Sequence, residues 1–77
     1  MSLSAAQIRA ARALLNWSQT ELATAAGLSR PTIDRSERTA VSAEAAAAIR
    51  RALEAAGVQF IPENGGGAGV RLVKPSS

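Results

Sequence analysis

Ser18-Gln-Thr-Glu-Leu-Ala-Thr-Ala-Ala-Gly27-Leu-Ser-Arg-Pro-Thr-Ile-Asp-Arg-Ser-Glu-Arg38 is the stretch from which the rest of the chain can be read. Ser18 can cap a helix, and Glu21, three residues on, completes a Ser-x-x-Glu capping box in which each side chain satisfies the other residue's free backbone N–H. Leu22, Ala25 and Ala26 form the apolar stripe of that helix. Gly27 stops it, because glycine takes the left-handed conformation of a helix end without steric cost, and Leu28 can then fold back onto the core. Ser29 caps again, with Pro31 in the first turn, where a missing N–H and a fixed φ cost little. From this second helix only Ile33 points inward. Thr32, Asp34, Arg35 and Arg38 leave three of its sides wet, so it is either a solvated surface element or one that docks on something polar and charged.

Upstream, Ser4 caps a helix from about Ala5 to Leu15, with Ile8, Ala11 and Leu15 on one apolar face and Arg9 and Arg12 a turn apart on another side. Trp17 follows as a core plug where the chain turns. Downstream of a loop through Thr39 to Val41, Ser42 caps a longer helix ending near Ala56, with Ala46, Ile49, Leu53 and Ala56 on one stripe and Gly57 as the stop. Beyond Gly57 the pattern changes to two short β-branched or apolar runs, Val58 to Ile61 and Val70 to Val73, separated by Pro62 and a glycine-rich loop. They can pair as a hairpin within one chain or add to the same strand of a second copy. The fold class expected is mainly α, four helices followed by a C-terminal β-strand pair or hairpin. The domain reading is residues 1–57 for the helical domain, 58–74 for the strand pair as a packing or dimerisation device, and 75–77 for a frayed tail.

Composition narrows the function. The 77 residues hold one domain, and only seventeen Leu, Ile, Val, Phe and Trp side chains are available to fill it, alanine supplying much of the 47% hydrophobic fraction. So thin a core gains from burying surface against a second copy. Without cysteine or histidine no disulfide, no ordinary zinc-ligand set and no Ser/His/Asp or Cys/His catalytic arrangement can be assembled, so neither catalytic residues, nor a metal, nor a cofactor is expected. The six carboxylates are spread singly. The glycines from Gly65 to Gly69 lack the Lys-Ser/Thr ending and following helix of a phosphate-binding P-loop and read as a flexible turn. No stretch approaches the roughly 18 apolar residues of a membrane span and no signal pattern opens the chain, so a soluble cytoplasmic protein without a membrane partner is expected. Nine basic against six acidic residues leave a net charge of +3, which suits a nucleic-acid partner and is common in proteins that bind none.

A short capped helix, a tight turn and a polar helix with one apolar anchor make a helix-turn-helix over residues 18–38. The chain here resembles the lambda-repressor-like (XRE/Cro-type) helix-turn-helix DNA-binding family. The resemblance is carried by the run from Ile8 to Ala23 and from Ala26 to Arg38, through its Ser-Gln-x-Glu-Leu-Ala, Ala-Gly-Leu-Ser and Ile-x-x-x-Glu elements together, and covers about half the chain. It implies that Gln19 touches a phosphate and braces the recognition helix, and that Arg30, Pro31, Thr32 and Arg35 occupy groove-facing positions; with Ser29 and Arg38 these complete the expected DNA-binding set. Arg30 and Arg35 are the base-reading candidates, since the arginine fork matches guanine O6 and N7, with contact to phosphates alone as the alternative. Glu37 matches the family's glutamate that pairs with an arginine of the first helix, here Arg12, in a structural role. Ser36 stands where a larger apolar residue is frequent and is expected to loosen packing. Asp34 places a negative charge near where phosphates would lie. Arg71 and Lys74 form either a second basic contact or a charged edge that discourages aggregation.

The function so implied is a sequence-specific transcriptional regulator, a repressor, binding an inverted repeat of double-stranded DNA as a homodimer. The alternatives are an antitoxin with a toxin protein as partner, or a protein-interaction module that keeps the fold without binding DNA.

Overall fold

The computed structural model describes residues 3–63 and 65–73. The four helices are α1 (Ala5–Leu15), α2 (Gln19–Ala26), α3 (Arg30–Ser36) and α4 (Ala43–Ala55), and the two strands β1 (Val58–Ile61) and β2 (Gly69–Leu72) pair antiparallel. This is the mainly α architecture with a C-terminal hairpin that the sequence predicts. Every helix begins at a serine whose hydroxyl accepts a backbone N–H three residues on: Ser4 from Gln7, Ser18 from Glu21, Ser29 from Thr32 and Ser42 from Ala45. Each such cap removes one of the orphan donors of a helix start and is worth about 1 kcal/mol. Gly27 closes α2 at φ 70°, and the Leu28 N–H reaches back to Ala23 O at 2.9 Å, which draws the half-buried Leu28 onto the core.

The core is Ile8 and Ala11 of α1, Leu22 and Ala23 of α2, Ile33 of α3, Ile49 and Leu53 of α4, and Val58 and Phe60 of β1, with Leu15, Trp17 and Val70 partly buried around them. Two expected stripes are rotated. Ala23 replaces Ala25, which is exposed, and Ala45 is buried where Ala46 is only half so. Alanine neighbours differ too little in size to decide which of them faces inward. Packing decides instead, through the i, i+4, i+8 row Ala45, Ile49 and Leu53 that lies under the other elements.

The hairpin packs on this core and shares it. Strand alternation turns Val58 and Phe60 inward, while Gln59 and Arg71, opposite one another, bond to each other on the exposed face. β2 starts and ends one residue earlier than expected, because the ladder is set by register: Val58 lies opposite Leu72, and just beyond it the Val73 N–H donates to Gly57 O at 2.6 Å. Gly57, at φ 107°, makes the turn from α4 into β1. Within the loop, the Glu63 carboxylate accepts from the N–H groups of Gly65 and Gly67 at 3.0 and 2.9 Å. Lys74 and residues 75–77 lie outside the described residues.

Gln7, unremarked in the sequence, ties the hairpin to the helices. It forms a capping box with Ser4, and its buried amide donates to Gly69 O at 3.1 Å and Ile61 O at 3.5 Å, spanning both strand ends. Gln7→Ala removes these bonds and strands partly buried carbonyls, so it is expected to cost about 1–2 kcal/mol. Hydrogen exchange should quicken in β1 and β2 and stay unchanged in α2 and α3; uniform quickening would mean that the hairpin does not depend on this tie.

Candidate nucleic-acid interface

α3 is two turns long and buries only Ile33 and Ser36, with the adjoining Glu37. Because those residues fall on one side, Arg30, Pro31 and Arg35 are left exposed on the others, with Thr32 and Asp34 half-buried between, and Arg38 is exposed in the turn just past the helix end. The Ser36 hydroxyl is satisfied by donating to Ile33 O at 2.6 Å. Its small side chain borders an apolar surface groove whose walls include Leu3, Ile8, Val41 and Ala46, space that a larger residue at this position would fill.

Glu37 is the hub of the polar contacts behind α3. The Arg12 guanidinium binds its carboxylate through two bonds, Nε to Oε2 at 2.8 Å and Nη2 to Oε1 at 3.1 Å, and holds Trp17 O with Nη1 at 2.9 Å. Arg9 donates to the Glu37 carbonyl, and the Gln19 amide to Oε1 at 3.2 Å. The carboxylate, 4% exposed, raises the Arg12 pKa above its ordinary value by hydrogen bonding, against a smaller opposing effect of burial. α1, α2 and the end of α3 are thereby locked around one buried charge.

The network continues outward onto the exposed face. Gln19 donates to Asp34 Oδ1 at 3.3 Å and accepts from Arg30 Nη1 at 2.9 Å, so its amide spans α2 and both turns of α3. Asp34 Oδ2 pairs with Arg38 Nη2 at 2.8 Å. The Asp34 carboxyl lies below the usual carboxylate range, chiefly through the Gln19 bond and further through the charges of Arg38 and Arg30, with desolvation opposing. The Ser29 and Thr32 hydroxyls lie 2.8 Å apart at the start of α3. Arg35 makes no side-chain hydrogen bond or ion pair with any described residue and lines an open groove running from Ala26 and Leu28 to the first turns of α4.

Of the residues singled out from sequence, Gln19 opens α2, Arg30, Pro31, Thr32 and Arg35 lie on α3 with Ser29 as its cap, and Arg38 lies in the turn just past its end. Arg71 stands apart, on the hairpin. Sequence reasoning missed the bond from Arg9 to the Glu37 carbonyl and the partners of Asp34; the spacing of Arg9 and Arg12 by one turn was the available signal for the first. Among the described residues no cluster of acidic side chains is arranged to hold a metal, and no helix is long and apolar enough to cross a membrane.

Among families of known proteins, the one whose model matches is described as helix-turn-helix, over residues 8–56. The match starts within α1, includes all of α2, α3 and α4, and stops short of β1. Among curated proteins no significant match is found.

Proposed function

We propose, on the premise that this chain belongs to the helix-turn-helix family and is a DNA-binding regulatory domain rather than an enzyme, that it acts in the cytoplasm as a repressor binding an inverted repeat as a homodimer. Two copies of α3 enter adjacent major grooves about one turn, ~34 Å, apart. The observation that carries this reading is the exposed face of α3, where Arg30 is steadied by Gln19 and the Arg35 side chain has no hydrogen bond or ion pair among the described residues. Arg30 and Arg35 read bases; Gln19, Ser29, Thr32 and Arg38 engage phosphates, and Pro31 makes apolar contact, since it has no N–H to donate. Homodimerisation is supported by the exposed large apolar side chains, Leu14, Leu72 and Val73, which lie on α1 or at the end of β2, two elements that pack together.

The test is fluorescence anisotropy of the full chain with duplex from upstream of its own gene against scrambled duplex, over several salt concentrations. The upstream duplex should bind more tightly. Arg30→Ala with Arg35→Ala should erase that preference, at about 1–3 kcal/mol for each arginine lost, while leaving salt-sensitive binding to any duplex. An unchanged preference in the double variant would remove the base-reading role from these arginines. A second protein that co-purifies in place of a second copy would turn the reading toward an antitoxin.

A further inference from the structure

Asp34 is the one carboxylate on the exposed side of α3, and both of its oxygens are engaged by groups that the DNA-binding reading assigns to phosphates: Oδ1 by the Gln19 amide at 3.3 Å, Oδ2 by the Arg38 guanidinium at 2.8 Å. A carboxylate presents these donors with the same charge sign and the same acceptor type as a phosphate oxygen. We propose that Asp34 is an internal phosphate mimic, which keeps Arg38 and Gln19 occupied in the free protein and so holds down affinity for DNA of arbitrary sequence. The inference rests on the DNA-binding reading and adds to it a residue that sets specificity.

The geometry makes Asp34 a gate and not a block. Its side chain is 38% exposed and held at both oxygens, whereas Arg38 is 70% exposed, so the guanidinium is the partner free to swing away. An exposed pair of this kind is weak and gives way to a well-placed phosphate. Exchanging one anion for another gains little, however, and the carboxylate that Arg38 leaves behind then faces the DNA backbone. Phosphate contact, which is the same for every sequence, is therefore discounted, and base contacts from the rest of α3 carry a larger share of the discrimination. Asp34 caps no helix and lies outside the core, so its replacement leaves the helix caps and the apolar packing in place.

The experiment is anisotropy of the full chain with a labelled random-sequence duplex over a salt series, comparing wild type with Asp34→Asn, Arg38→Gln and the double variant. A control exists at Glu54, which pairs with Arg50 at 3.1 Å across the same four-residue spacing in the reverse order, on the part of α4 where the half-buried Arg50 lies over the Phe60 ring of β1. Glu54→Gln thus removes one charge and frees one arginine away from α3. Asp34→Asn should bind random duplex roughly 3- to 10-fold more tightly at low salt, with a log–log salt slope steeper by about 0.9, the signature of one added phosphate contact. Arg38→Gln should weaken binding less in the wild type, where the guanidinium must give up Asp34 to reach a phosphate, than in the Asp34→Asn background, where it should remove the gain. Asp34→Ala, run beside it with thermal melts, gives a second variant should the asparagine perturb the fold. Equal or weaker binding by folded Asp34 variants, or an equal gain from Glu54→Gln, would overturn the proposal while leaving the DNA-binding reading intact. A wild-type chain that binds no duplex at any salt would overturn both.

Discussion

Ile33→Ala is expected to lower the unfolding midpoint by about 12–24 °C, from a loss of about 3 kcal/mol in a domain of this size. Ile33 is fully buried and is the only large side chain that α3 contributes to the core; the other fully buried residue of that helix is Ser36. Removing its outer carbons creates a cavity between helices already rich in alanine, which have few long side chains to collapse into it. The same substitution loosens the element that carries Arg30 and Arg35, so sequence preference should fall before the chain unfolds. Ile33→Val, which removes a single methylene, should cost about 0.5–1.5 kcal/mol and retain DNA preference. Circular dichroism melts of the two variants decide the matter: a shift of only a few degrees for the alanine would show that α3 is held mainly by its polar contacts.

Those polar contacts produce the second large effect. Arg12→Ala leaves the Glu37 carboxylate, 4% exposed, with only the Gln19 amide to compensate it. Stripping the partner from a buried charge costs about 3–5 kcal/mol; since Arg12 is 27% exposed, a discount for solvent screening brings the expectation to about 2–3 kcal/mol. The midpoint should drop by about 8–24 °C. Arg12→Met combined with Glu37→Met should recover much of the loss, because apolar residues of similar size carry no desolvation penalty. If Arg12→Ala instead costs less than about 1 kcal/mol, the pair behaves as an ordinary surface bridge and the hub assigned to Glu37 fails.

The two variants also separate what was legible in the chain from what was not. Ile33 can be singled out from sequence because it is the lone apolar residue in a polar helix, and the Arg12 and Glu37 pair because both stand in the motif of a known family. The partners of Asp34 could not be found in that way. Arg38 is local, four residues on, but Gln19 comes from another helix, and only the packing of α2 against α3 brings its amide within reach. Gln7 is similar: its capping box with Ser4 is a local pattern, whereas its bonds to Ile61 and Gly69 join residues far apart in the chain.

Sequence by itself determined where the helices start and how α2 stops, because serine caps and a left-handed Gly27 are interactions within a few residues of one another, and it determined that α3 is polar outside with one anchor. It also placed the two strands to within a residue. Tertiary structure alone decided the rotation of α2 and α4, since Ala23 and Ala25, or Ala45 and Ala46, are the same residue and only their neighbours distinguish them. It likewise decided that the strands close on each other within one chain, where Val58 and Phe60 complete the core, and that a negative charge on the exposed side of α3 is held by Gln19 and Arg38. Local hydrogen bonds are written in spacing; the burial of near-identical side chains and the meeting of distant charges arise only when the elements pack.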